Sequence, residues 1–151
     1  MTHAITRYCS FALGDRLFGI DVTRIQEILR WQPLTRVPLA PRSVVGLINL
    51  RGEIVPAIDV RDALGLAPSE VPEPINVVLR TPDGPVSLLV DRVDDVLELD
   101  REFDLGPEAF TGPARELIRG LFELDDRLLL ILDTDAAIER SAVAQTNGGL
   151  R

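Results

Sequence analysis

The chain contains no lysine, so all sixteen of its basic side chains are arginines. Every basic contact it makes is therefore planar and capable of bidentate pairing; beyond that, the absence reads as compositional bias. Histidine occurs once, as His3, which leaves no support for a histidine-based proton relay or a zinc site. Cysteine also occurs once. Cys9 cannot close an internal disulfide, and in an apolar run it reads as a small buried thiol with no redox role. Aromatic residues make up only 5% of the chain, with Tyr8 and Trp31 alone of their kinds, so aliphatic side chains must supply the core. Positive charge is in deficit too: the net charge is −8 and the pI near 4.6. An anionic surface repels phosphate backbones and acidic lipid headgroups, which argues against nucleic acid as a partner. No stretch approaches about eighteen uninterrupted apolar residues, and the N-terminus shows no apolar leader, so a cytoplasmic protein without direct membrane insertion is expected.

What is present is β-like. With 151 residues, 46% of them hydrophobic, the chain can build one domain or two small lobes that share a core. Residues 7–20 alternate around Gly14-Asp15 as a first hairpin, with Phe11, Leu13, Leu17 and Ile20 pointing inward. Asp21 is placed to cap a short helix through Leu29, since Val22, Ile25, Ile28 and Leu29 recur at helical spacing. A short strand over Leu34–Val37, stopped by Pro38 and Pro41, and a helical turn over Arg42–Val45 are expected next.

The stretch Val44–Asp59 reads as two apolar arms meeting at Arg51-Gly52, a hairpin with an arginine at its tip. Arg51 is then either a solvated loop charge or a contact residue on a rigid support. Pro56 fits an edge or a bulge, and Asp59 is placed to cap a helical turn ending at Gly65. The proline-rich run 67–74 is a connection. Strands are expected over 75–81, 86–92 and 94–99, an irregular acidic segment over 100–116, and a last hairpin around Asp125-Asp126 followed by a helix from Asp133 to about Ile138. About nine strands, with helices too short to cross over a parallel sheet, argue for antiparallel barrels. Hairpin, Asp and short helix occur twice, at Ile58-Asp59 and at Leu132-Asp133, which hints at a duplicated unit.

Chemistry is sparse. The serines lack a nucleophile-elbow context, and Gly46 and Gly52 lie within a hairpin, not in a phosphate-cradling loop. Asp94-Asp95, Asp125-Asp126, Asp133 and Asp135 could in principle form a carboxylate site for a hydrolase, but turn and cap duties explain them more cheaply. An acidic β protein without a catalytic constellation is most simply a binding module, with no cofactor and no metal.

Gly19-Ile20-Asp21, Arg24-Ile25-Gln26-Glu27-Ile28, the central block Val45–Asp59, Leu88–Val96 and Leu128–Asp133 together resemble the CheW family of chemotaxis coupling proteins. The resemblance implies an all-β fold of two five-stranded SH3-like barrels packed side by side with short helices, forming one domain over residues 7–139. An N-terminal segment (1–6) and a frayed tail (140–151) flank it. It also implies a scaffold that bridges the cytoplasmic tip of a chemoreceptor (a methyl-accepting chemotaxis protein) to the regulatory domain of a CheA-type histidine kinase, in arrays at the inner membrane. An adaptor that engages only the kinase is the rival within the binding class. Carried over residue by residue, the receptor-facing groove would use Ile25 and Glu27 on the first helix, Gly46 where a partner backbone comes close, Arg51 at the tip and Val93 from the other barrel. Phe110, a large aromatic in the irregular segment, is the kinase-facing candidate.

Overall fold

The computed structural model describes residues 4–141; His3, residues 1–2 and the tail beyond Ser141 lie outside them. The first hairpin forms as its alternation requires, β1 (Thr6–Leu13) with β2 (Arg16–Asp21). Its four inward candidates, Phe11, Leu13, Leu17 and Ile20, are all buried. The helix expected over 22–29 does not form. Asp21 does cap, accepting the Thr23 N–H at 2.9 Å, but only a single 3-10 turn, Val22–Arg24, follows it. Ile25–Leu29 is then a strand, β3, paired with β6. Five residues with apolar side chains at 25, 28 and 29 satisfy either period, and the free edge of β6 decides in favour of the strand.

The central hairpin comprises β4 (Val44–Leu50) and β5 (Glu53–Ile58). Before it, the expected strand over 34–37 reduces to one bridge, Thr35 to Leu47. The expected helical turn over 42–45 is a hydrogen-bonded turn in which the Val44 N–H donates to Pro41 O at 2.9 Å. Pro38 and Pro41 lack the N–H groups that either element would need. Asp59 accepts from the Arg61 N–H at 2.9 Å at the start of α1 (Arg61–Leu64), which Gly65 ends in the left-handed conformation (φ 74°). Then come β6 (Ile75–Leu79), β7 (Val86–Val90) and β8 (Arg92–Leu99), a 3-10 turn at Pro107–Ala109, α2 (Ala114–Leu117), β9 (Ile118–Glu123), β10 (Leu128–Leu132) and α3 (Thr134–Arg140). Asp133 caps α3 through the Ala136 N–H, at 3.0 Å.

These ten strands form two five-stranded sheets, ordered β8-β1-β2-β10-β9 (barrel A) and β3-β6-β7-β5-β4 (barrel B). They are not antiparallel throughout: β2 runs parallel to β10 and β5 to β7. Pro56 lies just before Ala57 and Ile58, the two residues of β5 that pair with β7, so its missing N–H falls where the strand has one neighbour. The sheet orders also expose the duplication. In each barrel an edge strand (β3 or β8) is followed by a hairpin (β4-β5 or β9-β10) and a short helix, and a second hairpin (β6-β7 or β1-β2) completes the sheet. In barrel A that second hairpin comes from the start of the chain. The repeat is thus circularly permuted, which hides it from a residue-by-residue comparison of the two halves.

The largest apolar cluster draws on both barrels, with Phe11, Phe18 and Leu130 from one and Ile58, Val77 and Leu88 from the other. Smaller clusters belong to one barrel each, Tyr8, Leu17, Phe122 and Leu129 to A and Ile48, Leu50, Val55 and Val78 to B. Strict alternation produces this arrangement: along β10, Leu129 and Ile131 face barrel A's own cluster while Leu130 and Leu132 face the shared one. Aliphatic and Phe side chains thus weld the two barrels into one body.

Candidate functional site

The Arg51-Gly52 turn has positive φ at both central residues, 52° and 87°, the geometry of the tight two-residue turn that matches strand twist. Gly52 adopts it freely, while Arg51 is one of two described non-glycine residues with positive φ. Such strain persists where the surroundings over-determine it. Here Asn49 Oδ1 accepts the Gly52 N–H at 2.9 Å. The Arg51 guanidinium makes a two-pronged pair with Glu27, Nη1 donating to Oε1 at 3.1 Å and Nη2 to Oε2.

That pair joins the two edges of barrel B, since β3 and β4 are the end strands of its sheet and share no ladder. Arg51 stays two-thirds exposed and Glu27 one-quarter. Hydrogen bonding from Arg51 holds the Glu27 carboxyl below its ordinary value despite some opposing desolvation. A lowered value keeps the pair ionised at neutral pH and loses it only as the pH falls through that value.

Ile25 and Val93 are both half-buried, on the edge strands β3 and β8, and both pack against the shared cluster. Glu27 thus stands on a strand, not on the helix first assigned to it. Gly46 is buried, and the close backbone approach expected there is made by the chain itself: a Cβ at 46 would lie 2.8 Å from Thr35 O and 3.2 Å from Leu34 Cβ. Only glycine lets the 34–35 segment lie against β4 and close the barrel, so Gly46 positions the corner. Gly46→Ala is expected to lower stability by about 1–3 kcal/mol, the usual range for overpacking, read as a drop in the urea midpoint at unchanged slope. A wild-type midpoint would show that the 34–35 segment yields without loss.

Phe110 is half-buried against the shared cluster, not free in solution. It lines a groove of about 390 Å³ at the end of barrel A, with Leu17, Leu121, Leu128 and Leu130. Three of the carboxylates considered for catalysis have other work: Asp94 pairs with Arg127 at 3.3 Å, Asp135 pairs with Arg24, and Asp133 caps α3. Among the described residues no group of three or more His, Cys, Asp or Glu is arranged to hold a metal ion.

Sequence reasoning missed a second ionic centre. Asp91, on the β7–β8 crossing, accepts from the Arg61 guanidinium, from the Gly14 N–H at 2.6 Å and from Ser69 Oγ at 2.8 Å. Arg61 also donates to Ala67 O at 3.3 Å. One carboxylate thereby ties the β1–β2 turn of barrel A, α1 of barrel B and the proline-rich connection. An arginine in the first turn of a four-residue helix carries no signal of burial, and only the packing reveals it.

Residues 7–142 match the CheW-like domain. The chain belongs to the CheW family. It is 34% identical over 136 residues to the chemotaxis protein CheW of Klebsiella aerogenes, spanning 89% of this chain and 82% of that one. To the probable chemotaxis protein CheW of Rhizobium etli it is 32% identical over 129 residues, 84% of this chain and 83% of the other. The crystal structure of the scaffolding protein TtCheW from Thermoanaerobacter tengcongensis superposes with a TM-score of 0.78 at 24% identity, covering 86% of this chain and 90% of that one, which confirms the paired-barrel fold. As a CheW-family chain this protein is a chemotaxis scaffold and not an enzyme.

Proposed function

We propose that this CheW-family adaptor couples chemoreceptor tips to a CheA-type histidine kinase by presenting the Arg51 corner to the receptor, with Ile25, Glu27, Arg51 and Val93 as the receptor-facing set and the buried Gly46 behind them as a positioning residue. The observation that carries the reading is the strained, two-pronged Arg51–Glu27 closure. It holds a guanidinium at a fixed place on a rigid hairpin while leaving most of it open to a partner. Ile25 and Val93 supply half-exposed apolar surface on an edge strand of each barrel, and Gly46 seats the segment that backs the hairpin. A helical-hairpin tip laid on such a surface would bury apolar side chains and meet one oriented charge. Recruitment to receptor arrays at the inner membrane follows from that contact; among the described residues no helix is long and apolar enough to cross a membrane. Phe110 and its groove are assigned to the kinase side.

Coupling here means that one adaptor contacts both proteins, so that receptor state can bias the kinase equilibrium. Co-sedimentation with receptor-containing membranes tests the receptor side. Arg51→Glu is expected to weaken binding by about tenfold or more, the effect of reversing a charge at a recognition contact, with the fold retained because Arg51 itself is two-thirds exposed. Arg51→Ala should fall between the two. Unaltered binding by both variants would make Arg51 a barrel-closing residue only.

A further inference from the structure

One short helix of barrel A is fastened to both edges of barrel B. β3 and β4 are the end strands of the barrel B sheet, and each slips register near its start: β3 bulges against β6 between Ile25 and Glu27, and β4 against β5 between Val44 and Gly46. A bulge interrupts the ladder and re-aims the side chains beside it, so at these two places the neighbouring strand does not by itself fix where the edge lies. The residue ahead of each bulge is held from outside. Arg24, directly before Ile25, gives its guanidinium to Asp135 in the first turn of α3. Ser43, directly before Val44, donates its hydroxyl to Ser141 O at the end of the same helix, at 3.0 Å, and its own carbonyl accepts the Asp59 N–H at 2.9 Å.

α3 is itself anchored on barrel A. It follows β10 directly, the Asp133 N–H donates to Leu117 O at 2.8 Å, and Arg140 pairs with Glu116 of α2. Between its two ends, Ala136, Ala137 and Ile138 pack into the cluster that also holds Ile25 and Val44. A helix of seven residues is about 10 Å long, enough to lie against both edges at once. Arg80, just beyond β6, donates to the Thr23, Arg24 and Ile25 carbonyls. That holds the backbone to its own barrel and leaves the Arg24 side chain as the tie to the other.

We infer that α3 is a brace carrying Asp135 as a positioning residue for receptor binding: through Arg24 it sets the lie of the bulged β3 edge, and with it Ile25 and Glu27. The inference rests on the adaptor reading above. Glu27 is the carboxylate that clasps Arg51, so a shift of β3 also moves the guanidinium offered to the receptor. Asp135 needs no contact with the receptor to do this. The pair is partly exposed, 36% for the Arg24 side chain and 67% for that of Asp135, so it adds little to the stability of the whole fold. Its effect falls on the geometry of an edge whose ladder the bulge has already interrupted.

The test titrates receptor-containing membranes with wild type, Asp135→Arg, the exchange Arg24→Asp/Asp135→Arg, Arg51→Glu and the double variant Asp135→Arg/Arg51→Glu, each checked for folding by circular dichroism. Asp135→Arg is expected to weaken receptor binding about fivefold, the scale of one partly exposed ion pair. The exchange should restore binding to within about twofold of wild type. Both place a cation in the first turn of α3, which disfavours the helix equally, so the difference between them isolates the pair. In the Arg51→Glu background, Asp135→Arg should add less than about twofold, because the two act on one corner. A failure of the exchange to rescue would make Asp135 a direct contact and overturn its positioning role, as would wild-type binding by Asp135→Arg or full additivity with Arg51→Glu. Wild-type binding by Arg51→Glu itself would instead remove the receptor reading on which the inference stands.

Discussion

Phe11→Ala is expected to lower the free energy of unfolding by about 3–5 kcal/mol, the range for truncating a buried phenylalanine, and to do so for both barrels at once. Phe11 is fully buried and stacks on Phe18, with ring centroids 5.9 Å apart. Both rings belong to the cluster that also holds Ile58, Val77 and Leu88 of the other barrel. A cavity on the barrel A side of that cluster therefore removes packing partners from barrel B. Trp31, the single tryptophan, follows β3 of barrel B and reports the far side. Urea unfolding followed by Trp31 fluorescence and by far-ultraviolet circular dichroism should give one midpoint, shifted equally in both signals. A fluorescence midpoint left in place while the dichroism signal splits would show that the barrels unfold independently. Phe122→Ala, in the cluster confined to barrel A, tests the same coupling from a more distant position.

The second large effect belongs to Asp91→Ala, expected to cost about 3 kcal/mol because it leaves a buried guanidinium without its carboxylate. The Arg61 and Asp91 side chains are only 6% and 11% exposed. The substitution also strands the Gly14 N–H and the Ser69 hydroxyl, while Asp59, at 4.0 Å from Arg61, offers partial compensation. Burial alone would raise the Asp91 carboxyl, but hydrogen bonds from Arg61, the Gly14 N–H and Ser69 outweigh it and hold the group below its ordinary value. A lowered folded value means that the ionised carboxylate stabilises the fold above the unfolded value of about 4, and that this stabilisation is lost as the pH falls through the lowered value. Asp59 has the opposite sign, since burial outweighs its bond from the Arg61 N–H and raises it; protonating it relieves the folded state. Urea midpoints of wild type and Asp91→Asn should therefore differ widely at neutral pH, begin to approach each other near the unfolded value of about 4, and converge only as the pH falls through the lowered folded value. A gap that persists at low pH would mean that packing, not ionisation, sets the effect.

Much of this was legible in the residues. Alternation around Gly14-Asp15, the Arg51-Gly52 turn, Asp21 and Asp133 as caps, and the proline-rich 67–74 connection are local signals, and each sits where side-chain chemistry dictates; Asp59 bonds the Arg61 N–H from one residue ahead of the N-cap, which is Val60. The misreadings share one cause. Ile25–Leu29 is compatible with helix or strand until the edge of β6 is available, and residues 34–37 look like a strand until two prolines leave them a single bridge. The parallel pairings β2–β10 and β5–β7 join strands distant in the chain, and no window of neighbouring residues contains them. At the site, Arg51 could be named from its turn. Its pairing with Glu27, and the use of Gly46 by the chain's own backbone, could not.

By itself, the sequence determined the β class, the hairpins with their turns and caps, the aliphatic core, the family and hence the adaptor role, because each depends on residue type at short spacing. Only the tertiary structure decided which strands neighbour one another and that one permuted unit is used twice. It alone also showed that Asp91 locks the two barrels together. Those features arise from residues far apart in the chain, and their energies exist only once folding has brought the groups within a few ångströms of each other.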